Sequence, residues 1–273
     1  MNTTITSEIY RGARDGRFQN IIVDLLKRGG LNKKSISKLT DAHGMAAYSQ
    51  AFTAVSADEN VNYEMYEQLG DVTANKFIVW YMYRRFPQLR HPLGVKVVAR
   101  LRINYGARQS FSQIGEELGF WDFISASVED RGRKKKDLLE DCVESFIGVT
   151  ESLIDDSSAP GVGHAVVYKI LKSVFDDITI SLRYEDLYDA KTRIKELFDY
   201  HKDTLGKLTY DSKRDPDTGF FTSKVMNSNV VFGTGSATKL KDAEQKAAIV
   251  GLKNMNSRGI SKPVPVEYST FNK

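Results

Sequence analysis

Cysteine is nearly missing from this chain. One residue, Cys142, occurs in 273, which excludes an internal disulfide framework and a cysteine-built zinc site, and the four histidines are scattered without ligand spacing. Long hydrophobic runs are missing too: stretches such as Phe77 to Tyr83 fall far short of the ~20 residues of a membrane span. The polar start MNTTITSEIY lacks the basic-then-apolar plan of a signal peptide. These absences predict an intracellular, cytoplasmic protein with no membrane partner. There is no internal repeat, and GTGSAT is followed by no Lys-Ser/Thr pair, so no nucleotide cofactor is expected.

What is present is enough for a folded core: 41% hydrophobic and 11% aromatic residues. The net charge of +4 is unevenly placed, because residues 189–273 hold 15 of the 39 Lys/Arg but only 10 of the 35 Asp/Glu. A basic end on a near-neutral body suggests a polyanionic partner.

From about Phe18 to Arg183 apolar residues recur at intervals of three and four, as in FQNIIVDLLKR and LLEDCVESFIGVTESLI, which predicts a helical domain of seven or more helices. After Tyr184 the pattern changes. A helix from Asp189 to about Tyr200, three β-type runs (GKLTYDSK, GFFTSKVM, NVVFGTGS) and a helix from about Leu240 to Met255 predict an α-β-β-β-α unit over 189–256. The turns DPDTG and MNSN fit two hairpins of one antiparallel sheet. Residues 257–273 read as a flexible tail.

Three carboxylates stand out in NYEMYEQLGD. Glu64, Glu67 and Asp71 share one helix face among residues of a buried helix, and Asp141 and Glu144 repeat the device in LLEDCVESFIG. Crowded carboxylates cost several kcal/mol unless cations pair with them, and no Lys or Arg falls among the first set before Lys76. Packed face to face, Glu67, Asp71, Asp141 and Glu144 would form an all-oxygen cluster suited to Mg²⁺. Solvated faces of ordinary helices remain the alternative. Gly70 and Gly148 would let the helices approach closely.

The two blocks resemble the ribonuclease III family, whose signature is close to N-E-R-L-E-F-L-G-D with a later D-x-x-E-A-x-I-G. Glu67 and Asp71 fall on the family's first metal-binding pair, Asp141 and Glu144 on its second. The likeness covers most of residues 40–155, and its flavour is similar to the versions carried by large DNA viruses. Tyr63, Met65 and Gln68 depart from the family's Asn, Arg and Phe. The second unit is similar to the double-stranded RNA-binding domain: DAKTRIKELFD looks like its first helix and GTGSATKLKDAEQKAAIVGL like its last turn and helix. The family's adjacent lysines appear here as Lys239 and Lys241, separated by Leu240, while the loop histidine of Gly-Pro-x-His is replaced within Asp215-Pro216-Asp217-Thr218-Gly219.

The resemblance implies a mainly α endonuclease domain (18–183), then a small α+β RNA-binding domain (189–256). It implies Mg²⁺-dependent (or Mn²⁺-dependent) hydrolysis of double-stranded RNA by a homodimer, leaving 5′ phosphates and short 3′ overhangs. Glu67, Asp71, Asp141 and Glu144 would be catalytic and hold the metal, with Glu64 a supporting acid. Thr192, Lys195, Glu196, Lys239 and Lys241 would touch RNA. The rival reading is a non-cleaving double-stranded RNA binder, structural or suppressing RNA silencing. Charged runs such as GRKKK (132–136) and Arg100, Arg102 and Arg108 are weaker candidates for phosphate contact, and Cys142 reads as a small core residue.

Overall fold

Periodic apolar sequence becomes helix throughout the first two-thirds of the chain. The computed structural model describes residues 8–106, 108–228 and 230–271 and divides between Ile180 and Ser181 into two compact units. Among the described residues of the first unit are nine α-helices: α1 (Gly16–Arg28), α2 (Lys33–Leu39), α3 (Ala42–Ala51), α4 (Glu64–Arg85), α5 (Gly94–Tyr105), α6 (Arg108–Glu117), α7 (Val128–Arg133), α8 (Lys135–Ser157) and α9 (Val162–Phe175). Polar caps set several starts: Asp15, Asn32, Asp41 and Ser127 each accept a backbone N–H from the first turn of their helix.

Helix α8 is the axis of this unit. Leu138, Leu139, Cys142, Val143 and every residue from Glu144 to Thr150 are buried, because α8 is flanked by α3, α4, α6 and α9. Each large apolar side chain so covered stabilises by roughly 1.5–3 kcal/mol. Aromatic pairs join the layers: Phe18 meets Phe52, Phe52 meets Phe120, and Phe120 meets Phe146.

The first unit begins earlier than residue 18. Strand β1 (Ile9–Tyr10) pairs antiparallel with β2 (Ala126–Ser127). Arg14 donates to the Phe123 carbonyl at 2.5 Å and to Ser49 Oγ at 2.7 Å. Polar residues outside any apolar period are thus tied in by hydrogen bonds, which periodicity cannot register.

The second unit follows the expected order. Helix α11 (Ala190–Tyr200) precedes β3 (Thr209–Arg214), β4 (Phe221–Asn227) and β5 (Val230–Ala237), and α13 (Leu240–Ser257) closes the set. The strands form one antiparallel sheet in order β3-β4-β5, with Arg214 opposite Phe221 across the first turn and a register shift at Val225/Met226. Ile194, Leu197 and Phe198 of α11 meet Val225, Phe232, Ala247, Ala248 and Met255 in its core. Short helices α10 (Tyr184–Leu187) and α12 (Lys202–Leu205) precede and follow α11.

The stretch expected to be a flexible tail packs instead. Helix α14 (Val266–Ser269) brings Tyr268 to 2% exposure, its ring against Tyr184 and Tyr188. Tyr184 and Leu187 are buried, and both lie in the second compact unit, which starts at Ser181. Tyr184 and Tyr188 meet the distant Tyr268 in a cluster that neither segment signals alone. Residues 272 and 273 lie outside the described residues.

Candidate active site on helices α4 and α8

Two glycines bring the acidic helices together. A Cβ on Gly70 would lie 1.7 Å from the Glu144 carbonyl oxygen, and one on Gly148 would lie 2.0 Å from that of Tyr66. Only glycine permits backbone-to-backbone contact of this kind. Glu67 and Asp71 flank Gly70 on α4, while Asp141 and Glu144 precede Gly148 by one to two turns of α8, so the contact gathers all four.

Charge shows the crowding directly. Burial, followed by the charges of Asp141, Glu64, Glu140 and Asp71, raises the Glu67 carboxyl to about 7. Burial and then Asp71, Glu140, Glu67 and Asp141 raise that of Glu144, 6% exposed, to about 8. Asp141 is also raised, chiefly by burial. Glu64 is exposed in the first turn of α4 and acts on Glu67 through its charge. Among the described residues, no three Asp, Glu, His or Cys side chains converge closely enough to hold a metal ion as they stand.

Neutral donors steer two of the acids. The Tyr63 hydroxyl donates to Asp141 Oδ2 at 2.7 Å, and Asn75 Nδ2 donates to Asp71 Oδ1 at 2.8 Å. Burial and the charge of Asp141 push the Tyr63 phenol far above its ordinary value, so it stays a donor. Arg108 bridges Asp137 at 2.8 Å and Glu140 at 2.7 Å on the rim. Sequence reading passed over Tyr63, Asn75 and Glu140; the departure from Asn at position 63 is the one signal that could have drawn attention there.

The GRKKK run is largely engaged. Arg131, just before it, lies 3.8 Å from the ring centres of both Tyr10 and Trp121 and donates to the Ile124 carbonyl, which makes it a structural residue. Arg133, Lys134 and Lys135 pair with Glu129, Asp130 and Glu116. Such exposed pairs contribute only about 0–1 kcal/mol each, so a phosphate could displace them.

In the second unit, Lys239 caps α13, Lys241 lies in its first turn, and both are exposed, as is Lys195 on α11. Thr192 is held by Asp189, its Oγ1 donating at 2.8 Å. Glu196 accepts from Tyr184 and from Lys262 of the supposed tail, and is therefore engaged within its own unit. Lys191 pairs with Glu244.

The Ribonuclease III domain family matches residues 64–150, a span that contains both acidic helices. A protein of Invertebrate iridescent virus 6 named "Putative ribonuclease 3" is 40% identical over 97% of this chain and 96% of its own length. A protein of the same name from Frog virus 3 is 41% identical over 74% of this chain and 53% of its own. Ribonuclease 3 of the bacterium Limosilactobacillus reuteri is 30% identical over 78% and 91%. Among solved structures, the nuclease domain of ribonuclease III from Campylobacter jejuni aligns over 61% of this chain and all of its own, with 20% identity and a TM-score of 0.44.

Proposed function

Because this chain belongs to the ribonuclease III family and is an endoribonuclease, we propose that it cleaves double-stranded RNA at the α4–α8 cluster, with Glu67, Asp71, Asp141 and Glu144 as ligands of Mg²⁺. The observation that carries this reading is the cluster itself. Four carboxylates are gathered by a glycine contact between α4 and α8, and burial together with acidic neighbours drives two of them toward neutrality. An all-oxygen donor set of this charge fits a hard divalent cation. Ions bound there would lower the pKa of the attacking water and offset charge on the phosphate and the departing 3′ oxygen, leaving a 5′ phosphate and short 3′ overhangs. The chain's own part is positional: Tyr63 and Asn75 hold one oxygen each of Asp141 and Asp71, and Glu64 adds negative charge beside Glu67.

The second unit reads as a double-stranded RNA-binding domain. Its α-β-β-β-α order and the exposed Lys195, Lys239 and Lys241 support this, with cations and helix dipole acting together on phosphates. The assembly reads as a homodimer. A duplex has two strands, one chain carries one acidic set, and α4 exposes the apolar residues Met65, Leu69, Val72, Val79, Trp80 and Tyr83.

The test is a long RNA duplex incubated with the protein in Mg²⁺ or Ca²⁺, beside Glu144→Ala. Cutting in Mg²⁺ that is lost in Glu144→Ala, with duplex binding retained, is expected. Binding without any Mg²⁺-dependent cutting would instead support the non-cleaving reading, and undiminished cutting by the variant would remove Glu144 from the site.

A further inference from the structure

Tyr63 is 5% exposed at the entry to α4. Its backbone is fixed on both sides, since its N–H donates to the Thr53 carbonyl and its own carbonyl accepts the Glu67 N–H, each at 2.9 Å. From this anchored position the hydroxyl reaches across to α8 and donates to Oδ2 of Asp141 at 2.7 Å. One residue thus joins the turn that carries Glu67 to the carboxylate of Asp141.

We infer that Tyr63 is a positioning residue for divalent-ion binding: by occupying Oδ2 of Asp141 it orients that carboxylate so that its other oxygen can serve the ion. The inference rests on the metal-site reading above. The chemistry favours a phenol. A lysine or arginine at this place would orient Asp141 equally well but would add positive charge where a cation must bind. A phenyl ring would leave the carboxylate free to turn away from the neighbouring Asp137 and Glu67, whose charges act around it. A neutral donor fixes the direction and leaves the negative charge for the ion, and removing such outer partners of metal ligands commonly weakens binding by about 10–100-fold.

The experiment uses the full chain and Ca²⁺, titrated by calorimetry in the absence of RNA. Tyr63→Phe keeps the ring and loses only the hydroxyl, and Asp141→Asn serves as the control. The expected result is Ca²⁺ binding weakened by ~10-fold or more in Tyr63→Phe, with the metal-free chain still melting cooperatively. The Mg²⁺ concentration for half-maximal cutting should rise in parallel while the rate at saturating Mg²⁺ largely recovers, a split that general loosening of the fold would not produce. A second readout leaves the protein otherwise intact: the ¹⁹F resonance of a fluorotyrosine at position 63 should shift as Ca²⁺ is added. Unweakened Ca²⁺ binding in Tyr63→Phe, or a ¹⁹F signal that ignores Ca²⁺, overturns the inference while the Asp141→Asn loss leaves the metal-site reading standing. A wild-type chain that binds no divalent ion overturns both.

Discussion

Glu144 and Glu67 shift the protein's balance with pH. In the unfolded chain each carboxyl returns to its ordinary value of 4.5, whereas the folded values are about 8 and about 7. Between those limits the folded state binds more protons than the unfolded, so stability is full below about 4.5 and falls as pH rises through 7–8. Calorimetric melting without divalent ions should therefore decline from about pH 5 to about pH 9, and Ca²⁺ should restore much more at the upper end than at the lower. Glu144→Gln should flatten the decline; a flat wild-type profile would show that the carboxyls are not crowded. The residue types of this cluster were readable from spacing and from the motif. Tyr63 was not, because its hydroxyl acts on a residue 78 positions away, a distance that no local pattern reports.

At the scale of elements, α4 and α8 were foreseeable as helices, and their glycines hinted at a close approach. The backbone contact at Gly70 and Gly148 is what brings the two separate acidic pairs to facing stretches of neighbouring helices. Helix α13 raises a similar point for RNA. Leu240 starts the helix between the two lysines, and Lys241 lies in the first turn with its side chain exposed. Lys241→Ala should weaken duplex binding and make the dependence of log affinity on log salt shallower by about one unit, as expected for losing one phosphate contact, while Ca²⁺ binding stays as in wild type. Unchanged affinity and slope, measured by filter binding across salt, would take this helix end out of the RNA interface. Glu196, a position carried over from the RNA-binding motif, is half-buried and ion-paired. Lys262 pairs with it from a segment that looked unstructured.

For the whole molecule, the first unit leaves a stripe on α4 that its own packing does not cover: Met65 is 68% exposed, Val72 61% and Leu69 47%. Singly exposed apolar residues are ordinary, but a row along one helix face marks an interaction surface. If a second copy covers it, Val72→Asp should convert a dimer to a monomer in sedimentation and reduce cutting of both strands, with the metal-free fold retained. A wild-type chain that sediments as a monomer at micromolar concentration would remove the homodimer. Among the described residues no helix is long and apolar enough to cross a membrane.

By itself the sequence determined the order of elements, the change from helical to β-type pattern near residue 184, and the identity of the acids, since periodicity, turn chemistry and a spaced motif are local properties. The tertiary structure decided which groups meet. It placed Glu67 and Asp71 against Asp141 and Glu144 through glycine-to-backbone contact, gave Asp141 its tyrosine donor, tied Arg14 into the first unit and folded residues 257–271 onto the second. Each of these depends on groups distant in the chain, whose hydrogen bonds, mutual charge and shared burial exist only once the packing brings them together.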